Sequence, residues 1–265
     1  ALQEEAGSIL VFLPGVGEIR RLVAMLDENP LQPDVLVAPL YGDLSPEEQD
    51  QAIRPAPRGK RKIVIATAIA ETSLTIEGVR VVVDSGRARV PRFDPVTGMS
   101  RLETVRVSAA AAAQRRGRAG RTEPGVCYRL WTAAEDRALV PHDTPEIAAA
   151  DLAPLALELA VWGCRDANDL RWLTPPPAAA FAQARDLLRD LGALDDYGAV
   201  TSHGRAMAAL PLHPRIAHMV LRGREMGLGG LAAHLAALLG ERDIFRGDRA
   251  RQDADIRSRM EALSR

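Results

Sequence analysis

Apolar and polar positions change rhythm partway along the chain. In the first half, short continuous runs rich in β-branched residues alternate with longer segments whose apolar residues recur every three or four positions. Residues 9–13 form one such run, ended by Pro14 and Gly15. Ile19, Leu22, Val23 and Leu26 follow at spacings of three, one and three, which places them on one face of a helix. Residues 35–39, 63–66, 81–83 and 126–131 are further apolar runs of strand length. Between the first two of these lies Ser45-Pro46-Glu47-Glu48, a helix start with a hydroxyl N-cap, proline in the first turn and glutamate three residues on. Continuous apolar runs separated by helices predict an α/β fold, a parallel sheet covered on both faces.

Residues 87–107 break that rhythm. They show no helical period, and Pro91, Pro95 and Gly98 punctuate two extended arms around residues 94–98, which predicts a hairpin projecting from the sheet. Beyond about residue 140 the chain turns to alanine- and leucine-rich helices. Residues 152–162 carry a broad apolar face, and Pro175, Pro176 and Pro177 precede a helix over 178–191. Residues 193–201, with Asp195, Asp196, Tyr197 and Gly198, predict a small hairpin, so the order is helix, helix, two-stranded wing. Pro211 and Pro214 separate this region from helices over 216–226 and 231–239, and the polar, arginine-rich residues 243–265 read as the start of a further element.

Composition narrows the class. With 265 residues, 47% of them apolar and 26% charged, the chain can bury one large or two compact cores, which excludes a disordered or disulfide-stapled protein. Cys127 and Cys164 sit among apolar neighbours and read as reduced, packed thiols of a cytoplasmic protein. No apolar run approaches the roughly 18 residues of a membrane span, and Glu4 and Glu5 stand where a signal peptide is basic. The histidines, His142, His203, His213, His218 and His234, have no partner at ligand spacing, so no metal site is expected. Trp131, Trp162 and Trp172 lie in apolar stretches and read as core.

The net charge of −1 conceals a division: residues 1–53 carry two basic residues against ten acids, whereas residues 87–121 carry nine arginines against Asp94 and Glu103. On composition alone the basic block is a solvated face or a phosphate-binding surface. Its densest part is Gln114-Arg115-Arg116-Gly117-Arg118-Ala119-Gly120-Arg121, behind an alanine run over 109–113 that favours a helix. If that helix continues, Gln114, Arg118 and Arg121 share one face. An amide beside two guanidiniums suits triphosphate hydrolysis, with the arginines neutralising developing charge and the amide orienting water. A second cluster follows the strand over 63–66: Thr67, Thr72, Ser73 and Thr75 with Glu71 and Glu77, at the carboxyl end of a parallel strand where open α/β sheets bind ligands.

Four segments, residues 9–15, 39–44, 66–76 and 114–121, resemble in order and spacing motifs four, four-a, five and six of DEAH-box superfamily-two helicases. Residues 201–205 and 210–215 are similar to the HrpB-type branch. The resemblance implies a second RecA-like domain over 1–140, a winged helix over 141–210 and the start of a helical bundle over 211–265. It further implies ATP with Mg²⁺, held mainly by a first RecA-like domain of the same polypeptide, and a single-stranded RNA or DNA partner, RNA being the family's usual substrate. Arg118 and Arg121 then correspond to arginine fingers, Gln114 to the residue that positions water, Ser73 to a nucleotide sensor and Glu77 to a ribose neighbour. Gly42, Thr67 and Arg115 correspond to nucleic-acid contacts, and the 87–107 hairpin lies beside the strand exit. Three positions depart from the family pattern: Ala68 stands where asparagine is common, Glu77 replaces aspartate, and Ile53 occupies a position where an aromatic often stacks on a base. Neither a Gly-x4-Gly-Lys-Ser/Thr loop nor Asp-Glu-Ala-His occurs, so the chain by itself is expected to be inactive. A nucleic-acid-binding module without catalysis is the alternative from a different class.

Overall fold

The strands are β1 (Ser8–Phe12), β2 (Val35–Leu40), β3 (Arg61–Ala66), β4 (Val79–Asp84), β5 (Arg87–Asp94), β6 (Met99–Arg106) and β7 (Val126–Arg129). β1, β2, β3, β4 and β7 form one sheet in the order β2-β3-β1-β4-β7, every neighbouring pair parallel. β5 and β6 pair antiparallel around a turn at residues 95–98, as the proline- and glycine-punctuated stretch predicts. The structure, a computed structural model, describes the whole chain except residues 30, 72–75, 120–123, 242, 246–252 and 264–265. The chain divides into two compact units, Ala1–Asp94 with Met99–Thr144, and Pro95–Gly98 with Pro145–Arg265.

In the first unit both sheet faces are covered, which is why its strands read as continuous apolar runs. Ile9, Val11, Ile63, Ile65 and Val81 pack on one face against Ile19, Leu22, Val23 and Leu26 of α1 (Val16–Glu28). Leu10, Phe12, Val64, Ala66 and Val82 pack on the other with Ala52 of α2 (Pro46–Ile53) and with Ala119. The N-terminus of α2 forms the capping box legible in its sequence: the Ser45 hydroxyl accepts from the Glu48 N–H, and the Glu48 carboxylate accepts from the Ser45 N–H. Its C-terminal end is held by Lys62, 6% exposed, whose Nζ donates to Gln51 O at 2.7 Å and Arg54 O at 2.6 Å. The preceding residue, Arg61, donates to the carbonyls of Leu2, Glu5 and Gly7. The unit also contains α3 (Ala109–Arg116) and α4 (Ala133–Arg137).

The second unit is helical: α5 (Ala153–Trp162), α6 (Ala178–Asp190), α7 (Ser202–Ala208), α8 (Pro214–Glu225), α9 (Gly229–Gly240) and α10 (Ile256–Leu263). Its core joins Ala156 and Leu157 of α5, Leu188 of α6, Met207 of α7, and Ala217 and Leu221 of α8. The small hairpin is reduced to one antiparallel bridge, Leu194 with Val200, around a turn in which Asp195 Oδ1 accepts from the Tyr197 and Ala199 N–H groups. Gly204 permits a close approach of α7, because a Cβ there would sit 2.2 Å from Ala193 O.

One expectation is corrected. Trp162 is 75% exposed because it ends α5 beside Gly163, beyond the reach of the core, although Trp131 and Trp172 are half-buried with their ring N–H groups bonded to Asp136 and Ala167. The histidines also have partners that lie far off in sequence. His203 Nε2 lies 3.0 Å from His218 Nδ1, and His213 Nε2 lies 3.0 Å from Asp151 Oδ2. Arg215 N–H donates to His213 Nδ1 at the N-cap of α8, so the hydrogen of a neutral His213 ring faces Asp151. No group of three or more possible metal-ligating side chains is found among the described residues.

Candidate nucleotide and nucleic-acid site

The carboxyl ends of four parallel strands reach one level of the sheet, where Leu40, Ala66, Phe12 and Asp84 are successive register partners across β2, β3, β1 and β4. Thr67 leaves β3 just past this level, half-buried, its N–H donating to Leu40 O at 3.3 Å. Gly42 follows β2 at the same end; it is exposed, with nothing within 4 Å of where a Cβ would stand. Gly42 and Thr67 therefore emerge side by side at the strand ends, in the crevice where open α/β sheets take ligands.

A single 3₁₀ turn, Ala68–Ala70, carries the chain from Thr67 to Glu71, closed by Ala70 N–H on Thr67 O and Glu71 N–H on Ala68 O. Glu71 points back under the sheet end to Arg115. Arg115 Nε donates to Glu71 Oε1 at 2.7 Å, and Nη2 lies 2.6 Å from the same oxygen. Nη1 donates to Asp84 Oδ1 at 2.8 Å and to Arg87 O at 3.1 Å, while the guanidinium carbon lies 5.0 Å from the Phe12 ring centroid. Asp84 Oδ1 also accepts from the Gly86 N–H at 2.8 Å. The Glu71 carboxyl is pushed up by burial, against the pull of the Arg115 guanidinium that lowers it.

This geometry corrects the expectation for Arg115. Its side chain has no exposed surface and is committed to two carboxylates, so it presents nothing to a nucleic-acid phosphate. The reason is helix register: Ala111, Ala112 and Arg115 form the inward face of α3, and two alanines bring the helix close enough for an arginine to reach the sheet end. Gln114, one position earlier, is exposed. The expectation that one helix spans 114–121 is corrected too. α3 ends at Arg116, and the following turn tightens to i→i+3 bonds, Arg118 N–H on Arg115 O and Ala119 N–H on Arg116 O, where Gly117 disfavours further helix. Arg118 thus lies beyond the helix, half-buried, and its Nη2 donates to the backbone carbonyl of Glu71.

Glu77 is not part of this cluster. It is exposed and precedes β4, and because β3 and β4 both run parallel to β1, it stands at the opposite end of the sheet from Thr67, about 16 Å away for a strand of this length. Ser73 and Arg121 lie outside the described residues, as do Thr72 and Thr75. Among the described residues the structure thus gathers Gly42, Thr67, Glu71, Asp84, Arg115 and Arg118, and leaves Gln114 outward and Glu77 apart. Asp84 escaped the sequence reading, although a single carboxylate directly after the apolar run over 81–83 was a visible signal.

The first unit is thus a parallel sheet with an arginine-bearing turn at its carboxyl ends, and a helical unit follows it in the chain. Two family descriptions match the chain: the helicase conserved C-terminal domain over residues 1–123, and the winged-helix helicase-associated domain HA2 over 184–212. The ATP-dependent RNA helicase HrpB of Escherichia coli is 48% identical over 240 residues, spanning 91% of this chain and 29% of that protein. The pre-mRNA-splicing factor ATP-dependent RNA helicase prp22 of Schizosaccharomyces pombe is 39% identical, over 98% of this chain and 23% of its own length. A crystal structure of the Escherichia coli DEAH/RHA helicase HrpB matches 92% of this chain with a TM-score of 0.87 at 47% identity, and the match takes in 31% of that chain. The chain is a C-terminal region of a DEAH-box helicase of the HrpB type, an α/β RecA-like domain followed by winged-helix and helical segments.

Proposed function

We propose that this chain serves an ATP-dependent RNA helicase as the half that grips single-stranded RNA and completes the ATP site. The observation that carries this reading is the convergence on Glu71: the turn from Thr67 ends there, and Arg118 donates to its carbonyl. Gly42 and Thr67 offer phosphates a backbone N–H and a hydroxyl at adjacent strand ends, contacts that position a strand without reading its bases. Arg118, with Arg121, supplies positive charge to the transferred phosphoryl group, and Gln114 orients the attacking water. Ser73 completes the nucleotide contacts in this reading, and Glu77, at the other end of the sheet, takes no part in them. In this reading residues 1–140 are the second RecA-like domain, 141–210 the winged helix and 211–265 the start of a helical bundle, acting in the cytoplasm.

Mg²⁺ with ATP supplies charge neutralisation at the phosphates when bound, and its ligands are assigned to the first RecA-like domain. Closure of the two RecA-like domains brings Arg118 onto the nucleotide, so the isolated chain hydrolyses none. The test is ATP turnover by the full-length polypeptide. Arg118→Ala and Arg121→Ala each lower it by about 10³, the usual scale of an arginine finger. Wild-type turnover in both variants, with salt-sensitive RNA binding intact, overturns the assignment in favour of a binding module without catalysis.

A further inference from the structure

Arg115, Glu71 and Asp84 are not used by the hydrolysis just described, yet they join three segments in its immediate neighbourhood. Arg115 has 0% of its side chain exposed and Asp84 0%, so neither charge can exchange its partner for water. A buried ion set of this kind costs desolvation and is weak evidence for stability as such. Its placement is informative. Glu71 ends the 3₁₀ turn that starts at Thr67, and the turn is closed by Ala70 N–H on Thr67 O and Glu71 N–H on Ala68 O, so the two residues belong to one short hydrogen-bonded element. Glu71 then holds two arginines at once, Arg115 through its carboxylate and Arg118 through its carbonyl. The Arg118 N–H is bound in turn to Arg115 O at 3.1 Å. Asp84 and the ring of Phe12, both at the sheet end, give Arg115 a fixed seat, so that Glu71 is the movable partner.

We propose that Glu71, Arg115 and Asp84 are positioning residues, a buried ionic strut through which RNA held at Thr67 sets the aim of Arg118. The proposal rests on the helicase reading and deepens it by naming how strand occupancy reaches the finger. In the absence of RNA the strut keeps Arg118 on the Glu71 carbonyl; a strand on Thr67 shifts the turn and releases Arg118 toward the nucleotide. Coupling of this sort depends on packed, discrete arrangements and is changed by substitutions that touch neither ligand.

The test measures ATP turnover of the full-length polypeptide with and without single-stranded poly(U) RNA, and compares the ratio of stimulated to basal rates. That ratio does not depend on the fraction of molecules folded, so a merely structural role leaves it unchanged. Glu71→Gln is isosteric and leaves Asp84 to pair with Arg115; it is expected to lower the ratio about tenfold, the scale of such coupling. The triple variant Glu71→Gln, Asp84→Asn, Arg115→Met removes the buried charges together, which packed proteins tolerate, and is expected to lose stimulation while melting near the wild type. A wild-type ratio in either variant overturns the strut. Arg118→Ala in the same assay separates the two levels. If both it and Arg121→Ala leave turnover unchanged, the helicase reading on which the strut rests fails. If it abolishes turnover while the strut variants keep the ratio, only the strut fails.

Discussion

Arg115 Nη1 lies 2.8 Å from Asp84 Oδ1, and neither side chain retains any solvent-exposed surface. Truncating the arginine leaves Asp84 and Glu71 buried without a counter-ion, which is far more costly than never having buried the pair. Arg115→Ala is expected to lower the stability of the chain by about 3–5 kcal/mol, measured by urea denaturation followed through helix and sheet content. A loss below about 1 kcal/mol, the scale of an exposed ion pair, contradicts the burial of this set.

Gly204 sets the distance between α7 and the chain at Ala193, since a Cβ would be placed 2.2 Å from a backbone oxygen that has no freedom to rotate away. Gly204→Ala is expected to destabilise the helical unit by about 1–3 kcal/mol or more despite the better helix propensity of alanine. The thermal midpoint reports it, and a variant as stable as the wild type shows that α7 can shift at no cost.

Burial and the neighbouring His218 hold the His203 ring below its ordinary pKa; Arg222 acts in the same sense and Glu225 opposes it. The sign follows directly. A depressed histidine binds protons more readily when unfolded, so its contribution is complete above the unfolded value of 6.5 and is lost as pH falls through the folded value. Thermal midpoints measured from pH 8 downward should decline more steeply for the wild type than for His203→Gln. Parallel curves for the two proteins discount the His203 contribution.

Much of the fold was legible because it rests on local signals. β1, β3 and β4 are continuous apolar runs, the capping box at Ser45 and Glu48 marks the start of α2, and Pro95 and Gly98 mark the β5–β6 turn. The candidate site was legible only in part, because its assembly is non-local. Arg115 reads in sequence as one more arginine in a basic block; only the register of α3 turns it inward to carboxylates 44 and 31 residues away. Glu77 reads as a companion of Thr67, yet the parallel topology sets them at opposite sheet ends. The His203–His218 and His213–Asp151 pairs were invisible for the same reason, spanning 15 and 62 residues.

Lys62 sits on β3 with its ammonium enclosed by the backbone carbonyls that end α2, whereas Lys60, two residues away, is exposed. These are the chain's lysines, so its side-chain amines are chemically unequal. An acylating reagent applied to the folded chain should modify Lys60 and the α-amino group and spare Lys62 until the end of α2 opens. Peptide mass analysis after brief labelling checks this, and early labelling of Lys62 contradicts its enclosure. The chain therefore carries one accessible side-chain amine, directly ahead of β3, at which a fluorophore or tether can be placed by amine chemistry.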